Sequence, residues 1–343
     1  MQLLIFSALV GLISWLSTFL TRWLAIKTGI LDIPKEKRKI HQTPIPLLGG
    51  LGIGFVMLIA IAICVSTGLI QFQDFSSRQL LAFCLALLIL LTVGVLDDKY
   101  DLRASIRFGL LIVAGLIVIA SGTSVQAISG WTGKGSITLP GLTGQLLTFV
   151  WLTSVTMAVK FMDGIDGLVT GQTTIGGYII AALALTTAFY QPSVAALAAI
   201  VAGAFLGFLL VNRNPAKQFL GEAGSLIAGF SLGFLSIVSG TKVATALMVL
   251  AIPLIDTAFV LVGRMRRGVP LWQGDKTHLH HKLLEAGLNQ RQIVFLIWTI
   301  TAAFGFGGLF LQTQGKMMLL GLLFVLTVGL SFGAGLVASR RKS

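Results

Sequence analysis

Long apolar runs and short polar stretches alternate along the whole chain. A bilayer core needs roughly 20 apolar residues per helix, and a spanning backbone has to satisfy its own hydrogen bonds, so these runs predict transmembrane helices. The pattern therefore predicts an all-α integral membrane protein, a bundle of about eleven transmembrane helices. The predicted segments, with boundaries good to a few residues, are 2–25, 47–70, 79–96, 105–121, 143–159, 174–190, 193–211, 225–240, 243–262, 291–312 and 317–338.

Composition agrees with this pattern. Of the 343 residues, 55% are hydrophobic and only 11% are charged, a balance that excludes a soluble bundle. The length suits a single polytopic domain over residues 1–343 better than two domains. Because Arg22 and Lys27 follow the first apolar run rather than precede it, we expect a retained first span instead of a cleavable signal.

The net charge of +13 would suit a nucleic-acid partner, but its distribution does not. Most Lys and Arg residues lie in short loops between apolar segments, without interleaved aromatic residues. Their bias toward alternate loops predicts that the N-terminus is outside and the C-terminus is cytoplasmic. The predicted cytoplasmic loops that carry polar chemistry are 26–46, 97–104, 160–173, 212–224 and 263–290.

Acidic residues and histidines fall on the same predicted side. Of the 12 acidic residues only Asp74 lies in an outer loop, and all four histidines lie in inner loops. Acidic residues contribute little to membrane orientation, so topology does not explain this asymmetry. We therefore expect a functional site on the cytoplasmic face. Cys64 and Cys84 lie inside apolar segments and are interpreted as buried thiols, with a disulfide between neighbouring spans as the alternative.

The stretch from Met157 to Leu168 joins an apolar span to a cation and two carboxylates. Asp163 and Asp166 are three residues apart, so on a helix they would share one face. The glycine after each aspartate leaves the backbone open to a bulky ligand. Two acids at the mouth of an apolar span indicate a metal or a phosphate–metal complex. The alternative is a solvated helix end followed by a turn.

Four further acids stand at or inside apolar segments. Asp97 and Asp98 are adjacent and therefore repel each other, which favours a compensating cation, although a capped helix end is the alternative. Glu222 stands just before a predicted helix, where the helix dipole alone would favour it. Asp256 lies about eight residues inside the ninth segment. An ionised group at that depth needs a polar cavity or a partner, either functional or structural.

Basic residues and histidines complete the set of polar loops. His278 and His281 are three apart and follow a run of arginines that begins at Arg264, a combination that suits a phosphate-rich anion. A zinc site and a plain solvated loop are the alternatives. The basic run from Lys35 to Lys39 could hold an anionic headgroup or simply anchor the loop inside. The Pro-rich stretch after it predicts irregular backbone that lines protein or a cavity.

Taken together, these motifs resemble the polyprenyl-phosphate N-acetylhexosamine-1-phosphate transferases, integral-membrane enzymes that begin bacterial cell-envelope glycans. The resemblance spans nearly the whole chain, and the His-rich motif is similar to the branch that uses UDP-GlcNAc. It implies that GlcNAc-1-phosphate is transferred from UDP-GlcNAc to undecaprenyl phosphate with release of UMP. Another UDP-N-acetylhexosamine is the alternative donor. The reaction would take place at the cytoplasmic face of the bacterial plasma membrane. The motifs are Pro44–Gly50, Gly94–Tyr100, Asp163–Leu168, Asn212–Ser225, Pro253–Thr257 and Asp275–His281.

The resemblance also implies roles for individual residues. Mg²⁺, with Mn²⁺ as a substitute, would be held by Asp97, Glu222 and Asp163. The catalytic set would be Asp97, Asp98, Glu222 and Asp163. Substrate would contact Asp166, Lys160, Arg264, His278, His280, His281, Lys39 and Asp256. A homodimer in the bilayer is compatible with the resemblance, and no nucleic-acid partner is expected.

Three positions depart from the family pattern, which has Asn where this chain has Met157 and Lys160, and Asp where it has Glu222. Glutamate carries its carboxylate one methylene further out, and Mg²⁺ tolerates poor geometry badly. The departures leave open a divergent or inactive family member with a scaffolding role. A transporter of lipid-linked sugars is a further alternative, which would place polar residues along a path through the membrane.

Overall fold

Twelve α-helices make up most of the protein in the computed structural model, which describes residues 2–34, 42–129, 135–187, 190–240, 243–270 and 277–342. Within these residues the helices are α1 (Gln2–Thr28), α2 (Gly49–Ser66), α3 (Ser77–Tyr100), α4 (Ala104–Ala120), α5 (Gly141–Phe161), α6 (Leu168–Ala184), α7 (Pro192–Asn212), α8 (Gly221–Val238), α9 (Val243–Arg266), α10 (Leu279–Glu285), α11 (Gln290–Gly307) and α12 (Thr313–Lys342).

Each of the eleven predicted apolar segments overlaps one helix of the described residues, and the short α10 is the additional helix. Helix α6 begins six residues before its predicted segment, 174–190. Among the described residues, eight helices are long and apolar enough to cross a membrane, whereas α4 and α6 are apolar helices of 17 residues. The protein is therefore a multi-pass, all-helical membrane protein. The number of crossings and the side on which each terminus lies stay predictions.

Two short antiparallel ladders were not predicted from the sequence. Strand β1 (Leu31–Asp32) pairs with β2 (Ile45–Pro46), and β3 (Ala127–Ser129) pairs with β4 (Ser136–Thr138). The first ladder brings the predicted Pro-rich stretch back against the bundle, where the carbonyl of Pro46 accepts a hydrogen bond from the amide of Phe219 (2.9 Å). Pro46 and Leu48 of this irregular stretch are buried against protein, as the sequence predicted, whereas Pro44 is exposed.

Helix α8 occupies the middle of the bundle. Most residues of α7 and α8 are buried, whereas only 28% of the apolar window of α1 and 22% of that of α12 are buried, which suits contact with lipid tails. Small residues bring the N-terminal end of α8 close to its neighbours. A Cβ on Gly94 would lie 2.2 Å from Cα of Ala223, and a Cβ on Gly50 would lie 2.1 Å from the amide nitrogen of Gly224. These contacts hold the end of α3 beside the start of α8.

Candidate active site

One cavity of about 1210 Å³ collects nearly all of the side chains singled out in the sequence. It lies where α3 and α5 end and α8 begins, beside the last turn of α9 and the start of α10. The predicted site residues that line it are Asp97, Asp98, Lys160, Asp163, Asp166, Glu222, Arg264, His278, His280 and His281. Asp256 lies behind His278, and Lys39 lies outside the described residues.

The segment from Met162 to Gly167 is a turn, so the expectation that Asp163 and Asp166 share a helical face is wrong. Helix α5 ends at Phe161, and α6 starts only after Gly167, which has a left-handed φ of 81°. Glycine adopts that conformation without steric cost, so Gly167 can act as the N-cap residue from which α6 begins. The alternative of a helix end followed by a turn describes the backbone correctly.

The two aspartates of this turn have different surroundings. Asp166 Oδ2 accepts hydrogen bonds from Nδ2 of Asn214 (2.9 Å) and from the amide of Ala216 (3.0 Å), which ties the turn to the loop after α7. Asp163 lines the cavity, where desolvation, followed by the negative charges of Glu222 and Asp166, raises its pKa to about 7. A cation in the cavity would favour the charged form of Asp163 and lower this pKa.

An ion-pair network joins four helices at the cavity wall. Asp97 is in the last turn of α3, where its Oδ1 accepts the Leu102 amide (2.9 Å) and its Oδ2 contacts Nη1 of Arg107 on α4 (2.9 Å). The same Nη1 lies 3.9 Å from Oε1 of Glu222, in the first turn of α8. Lys160 at the end of α5 donates to this Oε1. Both Asp97 and Glu222 are therefore helical, rather than in the loops predicted from the sequence.

Asp98 has one satisfied and one unsatisfied carboxylate oxygen. Its Oδ1 accepts the amide N–H of Glu222 (2.9 Å). Its Oδ2 is buried and has no hydrogen-bond partner in the described part of the chain. Gly221, with a φ of 68°, permits this approach, because a Cβ there would lie 2.3 Å from Asp98 Oδ2. A buried carboxylate oxygen without a donor is costly unless a cation or a ligand supplies one.

Histidines form another part of the cavity wall. Nδ1 of His278 donates to Oδ2 of Asp256 (2.7 Å), and the Leu279 amide donates to Oδ1 of the same aspartate (2.8 Å). Asp256 thus has the partner that its depth in α9 predicted. The predicted helical face shared by His278 and His281 is not formed, because His278 is the N-cap residue that precedes α10. The imidazoles of His278, His280 and His281 instead form one cluster.

His280 is the most enclosed of these imidazoles. Its ring stacks on that of His278 with centroids 5.8 Å apart and lies 4.3 Å from that of His281. Burial, followed by the charges of His281 and His278, lowers its pKa well below the ordinary value. Neither ring nitrogen has a hydrogen-bond partner among the described residues. His280 is therefore neutral at pH 7, and it packs on Gly164, where a Cβ would lie 2.3 Å from its Nε2.

Several polar residues at the site were not singled out from the sequence. Arg107 was counted within the fourth apolar segment, although a cation at the start of a span, ten residues after Asp97, was a usable signal. Gln290 accepts hydrogen bonds from the Asp166 amide (3.3 Å) and from Asn214 (3.1 Å). Such amide side chains carry no charge and follow no local pattern, so sequence reasoning had no means of finding Gln290.

The carboxylates suit a divalent cation with an open coordination sphere better than a closed set of protein ligands. No three His, Cys, Asp or Glu side chains of the described residues are arranged as a metal-binding group. Both oxygens of Asp97 and one of Glu222 already accept from protein donors, whereas Asp98 Oδ2 has none. Mg²⁺ commonly binds one or two carboxylates, with waters and substrate phosphates as its other ligands. The chemistry present fits that mode, and the predicted ligand set of Asp97, Glu222 and Asp163 stays a prediction.

Comparison with known proteins gives consistent relatives along most of the chain. Residues 80–240 match the family described as glycosyl transferase family 4. The chain is 30% identical over 325 residues to a probable undecaprenyl-phosphate N-acetylglucosaminyl 1-phosphate transferase of Bacillus subtilis (strain 168). The alignment covers 91% of this chain and 85% of that protein.

Two further relatives have similar names. A decaprenyl-phosphate N-acetylglucosaminephosphotransferase of Mycolicibacterium smegmatis is 30% identical over 354 residues, or 94% of this chain and 86% of that protein. An undecaprenyl-phosphate alpha-N-acetylglucosaminyl 1-phosphate transferase of Escherichia coli (strain K12) is 29% identical over 303 residues, or 85% of this chain and 79% of that protein. The region matched by the family includes every carboxylate of the ion-pair network.

Proposed function

Because the chain belongs to glycosyl transferase family 4, among the polyprenyl-phosphate N-acetylhexosamine-1-phosphate transferases, we propose that it transfers GlcNAc-1-phosphate from UDP-GlcNAc to undecaprenyl phosphate and releases UMP. The observation that carries the proposal is the convergence of carboxylates, histidines and Arg264 on one cavity at one end of a membrane helix bundle. Such a cavity provides opposite charges for a metal–diphosphate complex next to the bilayer.

The acceptor phosphate needs little activation. A phosphate monoester is largely dianionic near pH 7, because its second pKa is about 6. One of its oxygens forms a bond to the β-phosphorus of the UDP-sugar, the bond from that phosphorus to the bridging oxygen breaks, and UMP leaves with the electron pair. The protein's contribution to such a step is positioning and charge stabilisation. In this proposal Asp98 aligns the acceptor phosphate and its cation beside the ion-pair network.

Mg²⁺ is the cation that we propose, with Mn²⁺ as a substitute. Asp98 and Asp163 would hold it, together with Glu222 to the extent that Lys160 leaves that carboxylate available. When bound, it would neutralise negative charge on the diphosphate. The family pattern implied Asp97 as a ligand, but its pairing with Arg107 favours an indirect role in which it positions the end of α3.

The histidines and Arg264 would bind the diphosphate. Arg264 and His281 line the cavity as donors, and His278 is oriented by Asp256. Neutral His280 can donate only one hydrogen bond, so we assign it a packing role under Gly164 rather than a charged contact with substrate. Lys160 and Asp166, both of which pair with protein groups, would act on substrate through those partners.

The acceptor lipid would enter beside the first ladder, where Leu31, Ile33 and Ile45 form an apolar part of the cavity lining. The bias of basic residues supports our proposal that this end of the bundle lies at the cytoplasmic face of a bacterial plasma membrane. The reaction would then be the first membrane step of a cell-envelope glycan.

A reconstituted assay tests the proposal. Purified protein in nanodiscs, supplied with undecaprenyl phosphate, Mg²⁺ and a panel of UDP-sugars, is expected to release UMP from UDP-GlcNAc. Asp98→Asn should reduce that rate at least about a hundredfold, as expected for loss of an aligned charge. Asp74→Asn is the control away from this cavity, because an asparagine oxygen can still accept the hydrogen bond from the Ser193 amide. Absence of UMP release with every donor would contradict the proposal.

A further inference from the structure

Glu222 lies between two cations of the protein. The ammonium of Lys160 contacts its Oε1, and Nη1 of Arg107 lies 3.9 Å from the same oxygen. The side chains are only partly exposed, at 18% for Lys160 and 11% for Glu222. An ion pair at this depth is screened less by salt than one in open water. Lys160 therefore already supplies the positive charge that a metal ion would otherwise supply to this carboxylate.

The placement of Lys160 is set by helix packing over a long distance in sequence. It is 62 residues from Glu222 and reaches it because α5 packs directly against α8. A Cβ on Gly229 of α8 would lie 2.6 Å from Cα of Thr156 on α5, so the two backbones are nearly in contact one turn before Lys160. The ammonium is thus held at the carboxylate by the fold, and a divalent cation has to compete with it.

We propose that Lys160 is a resident counter-ion that limits the affinity of the cavity for divalent cations by occupying Glu222. The proposal rests on the proposed function in one respect, that the cavity binds a divalent cation at all. The two remaining carboxylates, Asp98 and Asp163, bind that cation weakly while the lysine is present, for two reasons. Lys160 withholds one ligand oxygen, and its charge repels the incoming ion.

Direct measurement of Mn²⁺ binding tests the role of Lys160. Mn²⁺ is titrated into the purified full-length protein in nanodiscs, without nucleotide or acceptor lipid, and free Mn²⁺ is read by electron paramagnetic resonance. Lys160→Met keeps the aliphatic stem and removes the charge, and it should tighten Mn²⁺ binding about tenfold or more. Lys160→Arg keeps the charge and should stay within about threefold of the wild type.

Two further variants isolate the pair from the overall charge. Lys217→Met removes a positive charge from an exposed side chain in the loop before α8 and should leave Mn²⁺ affinity unchanged. Glu222→Gln removes the negative charge with which Lys160 pairs, so adding Lys160→Met to it should produce less than half of the tightening seen in the wild-type background. Mn²⁺ affinity in Lys160→Met equal to or weaker than that of the wild type would overturn the proposal.

A stability readout covers the case in which Lys160→Met folds poorly. In Lys160→Met, Glu222 no longer pairs with a lysine and is available to a metal ion. The melting temperature of this variant should therefore rise more on addition of Mg²⁺ than that of the wild type, because ligand binding stabilises the folded state. An equal rise in both proteins would count against the proposal. Failure of the proposed function is a separate result: it would appear as no UMP release, whereas these titrations contain no sugar nucleotide.

Discussion

Oδ2 of Asp256 lies 2.7 Å from Nδ1 of His278, and its Oδ1 accepts the amide of Leu279. A carboxylate in this position holds the proton on Nδ1 and leaves Nε2 as the nitrogen available to the cavity. The acid in the middle of α9 is therefore neither isolated in the membrane nor merely a helix–helix contact. It orients a residue of the cavity wall and fixes the start of α10.

Asp256→Asn should lower the rate of UMP release on the order of ten- to a hundredfold, by analogy with loss of a carboxylate that orients a histidine. The amide can still accept from Leu279, but its NH₂ would then donate to Nδ1 and reverse the tautomer of His278. The measurement is the rate with UDP-GlcNAc across pH, beside the melting temperature. An unchanged rate in a folded variant would show that the tautomer of His278 has no part in the reaction.

Arg107→Met should destabilise the protein by about 1–2 kcal/mol, between the values for exposed and buried ion pairs, since Arg107 is 25% exposed and Asp97 is 9% exposed. The change leaves Asp97 without its cation. Adding Asp97→Asn should recover part of the loss, which thermal unfolding followed by tryptophan fluorescence would measure. Arg103→Met, at an exposed position one turn earlier, is the control and should be nearly neutral. Equal effects of the two single changes would contradict the prediction.

Gly221→Ala should be more harmful than the same change at Gly268. Both glycines have left-handed φ values, 68° and 66°, so each substitution carries a backbone cost of roughly 1–2 kcal/mol. A Cβ at Gly268 meets nothing within 4 Å, whereas one at Gly221 would lie 2.3 Å from Asp98 Oδ2. The difference between the two melting temperatures measures the contact with Asp98. We expect Gly221→Ala also to lose UMP release, with Gly268→Ala retaining most of it.

We expect the folded protein to lose stability on the acidic side of neutrality because of His280. Its pKa in the folded protein is well below the ordinary 6.5, so below pH 6.5 the unfolded chain binds a proton that the folded chain does not. The free energy of unfolding is therefore highest, as far as His280 is concerned, above pH 6.5. It decreases as the pH falls below that value, by up to about 1.4 kcal/mol per pH unit.

His280→Leu removes the titrating group and fills the same buried space. The fall in melting temperature between pH 7.5 and pH 5.5 should be smaller in this variant than in the wild type. Parallel curves for the two proteins would show that His280 is not the group responsible.

Much of the fold was readable from local pattern. Hydropathy placed all eleven apolar helices, because a residue's preference for lipid does not depend on its distant neighbours. The predicted boundaries were wrong where polar residues continue a helix, as at Asp97 and Glu222, and at α6, which begins directly after Gly167. The short helix α10 and the two small ladders were missed, since elements of this length have too little periodicity to detect.

For the site, the sequence by itself determined that most of the polar candidate residues belong to one end of the bundle, because charged residues are excluded from the apolar spans and remain at their ends. Only the tertiary structure decided the partners. The pairs Lys160–Glu222, Arg107–Asp97 and Asp256–His278 each join different elements. Such pairs depend on which helices pack together, and that is set by close backbone contacts such as Gly94 against Ala223, whose effect appears only when distant segments meet.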